Sequence, residues 1–87
     1  MEKILKLPVN QNWYDLINDG MITVDYRERT AFWKARLENK EYDIVEFYHR
    51  FNKSAKPMRF KLLGIKKGRI KFVQYPVYFI EFGERIV

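Results

Sequence analysis

The chain has no cysteine and a single histidine, His49. Without thiols there is no disulfide frame, thiol nucleophile or thiolate zinc site, and one imidazole cannot assemble a histidine metal centre by itself. No metal and no cofactor is therefore expected. Glycine (four) and proline (three) are scarce and do not gather with serine into a linker, so residues 1–87 read as one domain with one modest core. No stretch approaches the roughly 18 consecutive apolar residues of a membrane span. Pro8 interrupts the N-terminal segment before the apolar core of a secretory signal can form. The expectation is a cytoplasmic protein without a membrane partner.

The most informative absence is of carboxylates. Seventeen Lys and Arg against eleven Asp and Glu give a net charge of +6, but the excess is local. Residues 1–46 carry seven basic and nine acidic side chains, whereas residues 47–87 carry ten basic and two acidic, a balance of +8. Between positions 47 and 80 there is no acid at all, so nine cations there must pair with the N-terminal half, face water or face an anion. Tyr48, Phe51, Phe60, Phe72 and Tyr75 interleave with them, the composition of a phosphate-backbone site with stacking platforms. At 47% hydrophobic and 17% aromatic, the chain has enough apolar surface to fold rather than stay disordered.

Periodicity orders the elements. Residues 3–7 read as a short strand ended by Pro8. Asn10 or Asn12 then caps a two-turn helix whose Trp13, Leu16 and Ile17 share one face, with Gly20 just past its end. In residues 21–27, Ile22, Val24 and Tyr26 alternate with Thr23, Asp25 and Arg27, a strand pattern that puts Asp25 and Arg27 on one face. Thr30 caps a second helix to about Asn39. Strands follow at residues 42–48 and 58–65, then a turn at Lys67-Gly68, a returning strand at 69–75 and a last strand at 77–82 after Pro76. Six short strands with two helices in the N-terminal half predict an α+β fold, a small barrel that limits exposed edges.

The succession Ile-Leu-Lys-Leu at residues 4–7, Trp-Tyr-Asp-Leu-Ile at 13–17, Asn-Asp-Gly at 18–20, Thr-Val-Asp-Tyr-Arg at 23–27, Tyr-Asp-Ile-Val-Glu-Phe at 42–47 and Val-Tyr-Phe-Ile-Glu-Phe-Gly-Glu at 77–84 resembles the ASCH domain of the PUA-like superfamily, in its small phage and bacterial form. The resemblance covers nearly the whole chain. It implies a small β-barrel with a cleft between the first helix and the barrel, and an association with RNA or nucleosides. Some ASCH proteins are amidohydrolases on acetylated cytidine that use a Lys and a Thr before the Arg, and a later Glu. Arg27 matches the family Arg, but Ile22 and Asp25 stand at the Lys and Thr positions, and residues 47–80 offer no Glu.

Arg27 is the first candidate for binding, since a guanidinium donates two parallel hydrogen bonds to a phosphate or base edge. A structural ion pair with Asp25 is its bland counterpart. Asp25 and His49 are weak catalytic candidates as general base or acid. The candidate nucleic-acid surface adds Tyr26, and Tyr48, Arg50, Lys53 and Lys56 in and beside a polar loop. It also includes Lys66, Lys67 and Arg69 at the expected hairpin tip. The function expected is a nucleic-acid-binding module, for RNA or a nucleotide. The alternatives are an ASCH-type nucleoside or RNA hydrolase and a phage protein whose basic face binds an acidic host protein.

Overall fold

The computed structural model describes residues 2–86. In chain order the elements are β1 (Ile4–Val9), α1 (Gln11–Asn18), β2 (Val24–Glu28), α2 (Ala31–Leu37), β3 (Ile44–His49), β4 (Met58–Gly68) and β5 (Val77–Ile86). The strands form one sheet in the order β1-β3-β4-β5-β2; β1 and β3 run parallel and the remaining neighbours antiparallel. The sheet curls into a half-barrel with two helices, an α+β fold. No helix among the described residues is long and apolar enough to cross a membrane.

Five strands are present among the described residues, not the expected six. Rather than turning at Lys67-Gly68, β4 continues to Gly68 opposite Val77, and residues 69–76 form the connection to β5. Residues 69–75 do not pair back on β4, because β4 is already hydrogen-bonded to β3 on one edge and β5 on the other. Register shifts between Phe60 and Leu62 and between Leu62 and Gly64 mark where β4 bends. Such irregularities increase local twist and help a short sheet to curl.

Pro8 does not end the first strand, which runs on to Val9. The Lys3 and Val9 carbonyls accept from Asp43 and Arg50 N–H groups, so odd-numbered residues of β1 turn their backbone groups towards β3. Pro8 lies in the alternate set, and its missing N–H faces the open edge where no ladder bond is lost.

Capping sets the helices as their sequences predict. The Asn10 side chain accepts from the Trp13 N–H at 2.8 Å and Thr30 Oγ1 from the Trp33 N–H at 3.2 Å, each satisfying a donor of the first turn. Gly20, at φ +75°, follows the Asp19 C-cap, in a conformation that costs glycine least.

Leu5, Leu7 and Val9 of β1, Val45 and Phe47 of β3, Met58 and Phe60 of β4, and Tyr78, Ile80 and Phe82 of β5 line the concave face. Ile17 and Leu37 close it from α1 and α2. Phe47, Phe60 and Phe82 form an aromatic centre with ring centroids 4.9–6.0 Å apart. Phe47→Ala removes the fully buried member of this trio and should cost about 3–5 kcal/mol of unfolding free energy. Urea denaturation checks the value.

Candidate nucleic-acid interface

The two edge strands, β1 and β2, approach one another across the open side of the half-barrel, and Arg27 spans the gap. Its Nε donates to Asp25 Oδ2 at 2.7 Å on its own strand, and its Nη2 donates to the Pro8 carbonyl of β1 at 2.8 Å. The guanidinium carbon stands 5.1 Å from the centre of the Trp33 ring of α2, within cation–π range. Asp25 accepts a second bond from the Trp13 indole N–H of α1 at 2.7 Å. Four elements therefore converge on one ion pair, with only 14% of the Arg27 side chain and 3% of that of Asp25 exposed.

Burial pushes the Asp25 carboxyl above its ordinary value, opposed by the Arg27 charge and by hydrogen bonds from Arg27, Trp13 and the Tyr26 backbone. Both Asp25 oxygens are engaged, so the carboxylate fixes Arg27 rather than presenting a free base.

Beside this pair a cleft of about 470 Å³ opens to solvent, lined by Pro8, Val9, Asn10, Trp13, Asp25, Tyr26, Arg27, Arg50 and Phe51. The volume lies in the range of small-ligand sites, roughly 300–1,000 Å³. Arg27 supplies a largely buried guanidinium and Arg50 an exposed one at the rim, 5.4 Å from the centre of the Phe51 ring. Phe51 is 78% exposed and Tyr26 42%, leaving ring faces available for stacking. Cations and aromatic rings in one open cleft are the chemistry that holds a phosphate and an adjacent base.

His49 sets the rim. Its Nδ1 accepts the N–H groups of Phe51 and Asn52 at 3.1 and 3.0 Å, which leaves Nε2 to carry the proton and donate to Gln11 Oε1 at 2.8 Å. The buried ring ties α1 to the start of the 50–57 loop and thereby positions Arg50 and Phe51. It performs as a loop anchor, with both nitrogens occupied.

The remaining sequence candidates do not all converge. Tyr48 points from the outer face of β3, and Lys53 and Lys56 are exposed on the 50–57 loop outside the cleft lining. Lys66 and Lys67 are not at a hairpin tip: they lie within β4 and pair with Glu81 at 3.1 Å and Glu38 at 2.9 Å. The cause is the length of β5, which keeps β4 paired through Gly68 and moves the loop downstream. Arg69 is exposed just beyond β4. From the sequence, Phe51 stands out only as one of several interleaved aromatics, and Trp13 only as a member of the helix face it shares with Leu16 and Ile17. An aromatic residue next to Arg50 in a polar loop was the available signal for the first; nothing local indicated the indole bond to Asp25.

Asp25 also fixes the sign of a pH effect. A carboxyl raised by folding contributes stability that is fully present below its unfolded value and is lost as pH rises through its folded value. The stability difference between wild type and Asp25→Asn should therefore move against wild type as pH rises through and just above the ordinary aspartate range. Urea titrations of both proteins across that window measure it, and a difference that does not change with pH contradicts the assignment. His49→Ala leaves the two loop N–H groups without their acceptor and should cost about 1–3 kcal/mol, also read by urea denaturation.

Compared with family models, curated proteins and solved structures, the chain matches none.

Proposed function

We propose that the protein is an ASCH-like, PUA-like module that binds unpaired RNA through the cleft around Arg27, with the cations of its second half tracking the phosphate backbone. The observation that carries the reading is the meeting of Arg27 and Arg50 with Trp13, Tyr26 and Phe51 in one open cleft. Guanidinium groups suit phosphate, and the exposed rings suit bases that are free to stack. Duplex DNA is a poorer fit. The two helices have eight and seven residues and pack against the sheet through Ile17 and Leu37, so neither is free to enter a major groove. A hydrolase centred on Asp25 is less well supported, since Trp13 and Arg27 occupy both carboxylate oxygens.

Fluorescence anisotropy with a single-stranded RNA at several salt concentrations tests the proposal. Affinity should fall as salt rises, and each phosphate contact removed should lower the log–log slope by about 0.7. The double variant Arg50→Ala/Phe51→Ala should bind about tenfold or more weakly, because one base stack alone contributes roughly 1–3 kcal/mol. Salt-independent affinity, or wild-type binding by the double variant, would sink the reading.

A further inference from the structure

A second feature lies apart from the cleft. Residues 69–76 connect β4 to β5, and none of them lines the cleft. At their centre Phe72 is 92% exposed and has a φ of +74°. An aromatic side chain rarely adopts that backbone region, and strain of this kind concentrates at functional positions. The conformation lifts the ring from the domain instead of folding it against the sheet. Lys71 Nζ stands 5.3 Å from the ring centre, Arg69 is exposed, and Tyr75 is 45% exposed. Neither Arg69 nor Lys71 has an acidic partner among the described residues, and the segment lies wholly within the carboxylate-free stretch.

We infer that the 69–76 loop is a second contact for single-stranded RNA, in which a base stacks on Phe72 and Arg69 and Lys71 meet the flanking phosphates. This rests on the RNA reading of the cleft and extends it to a longer strand that touches the domain at two places. Charge complementarity favours this occupant. Two cations without an ion pair among the described residues precede one protruding ring in a carboxylate-free segment, the pairing of backbone cation and stacking platform that sequence-tolerant single-strand binders use. Ile70 and Val73 of the loop are half-buried, so its exposed apolar area is chiefly the Phe72 and Tyr75 rings beside Arg69, Lys71 and Gln74, which is little for insertion into a bilayer.

The test compares a trinucleotide with a 12-nucleotide RNA, a length inside the roughly 4–16-nucleotide sites of small barrels that track single strands. Phe72→Ala should weaken binding of the 12-mer about fivefold or more while leaving the trinucleotide unchanged, and Phe72→Tyr should restore it. Arg69→Ala and Lys71→Ala should each reduce the salt slope for the 12-mer by about 0.7. Phe72 is solvent-exposed, so an unchanged melting temperature verifies that the variants fold. If Phe72→Ala binds the 12-mer as wild type does, while Arg50→Ala/Phe51→Ala does not, the loop inference falls and the cleft reading stands. Wild type that binds neither RNA overturns both. Loss of binding to phosphatidylserine vesicles by Phe72→Ala, with RNA affinity intact, overturns the inference in favour of a membrane contact.

Discussion

An open five-stranded sheet has two unpaired edges, and arginine side chains close this one. The carbonyls of Lys6 and Pro8 on the free edge of β1 accept from Arg36 of α2 at 3.3 Å and Arg27 of β2 at 2.8 Å. These bonds substitute for the strand pairing that would complete a barrel, and they cover an edge otherwise available to another chain. The rest of the open side depends on them. Trp33 lies against the Arg27 guanidinium, Asp25 neutralises it, and Trp13 hydrogen-bonds to Asp25, so both helices are tied to the same seam. The cleft exists because the seam is bridged by side chains and not by backbone.

A second set of polar contacts fixes the far end of α2. Glu38 accepts from the Tyr78 hydroxyl with one oxygen and pairs with Lys67 through the other, and these bonds lower its pKa; burial, and after it the bond to Glu38, raises that of Tyr78. On the outer face, Arg59 reaches Glu46 of the neighbouring strand at 2.8 Å. These pairs change the meaning of the +8 second half. Three of the second half's strand cations, Arg59, Lys66 and Lys67, take carboxylates from β3, β5 and the end of α2, while Lys61 of β4 and Arg85 of β5 form no ion pair among the described residues. Most of the uncompensated charge of the second half lies on the two loops, at Arg50, Lys53 and Lys56 and at Arg69 and Lys71.

Local chemistry made the helices readable. Asn10, Thr30 and Gly20 act within one or two turns, and each does in the structure what its residue type favours. The shared face of Asp25 and Arg27 was equally legible, because strand alternation is a local rule. Pro8 and residues 69–75 misled for the same reason in reverse. Whether a proline ends a strand depends on which edge its absent N–H faces, and whether a β-rich segment pairs depends on a free edge being left. Neither is a property of the segment. Arg50 was identified from its loop, whereas Phe51 beside it gained importance only once His49 had fixed the loop next to Asn10 and Trp13.

By itself the sequence determined the class of fold, both helix starts, the shared face of Asp25 and Arg27 and the concentration of positive charge after residue 46. These follow from periodicity, caps and counting, which act over a few residues. Tertiary structure alone decided that Arg27 bridges two strands far apart in the chain, that Asp25 loses its water to Trp13 and Arg27, and which cations remain unpaired. Such outcomes depend on which backbone edges and side chains the curled sheet brings within about 3 Å, the reach of a hydrogen bond, across the whole chain.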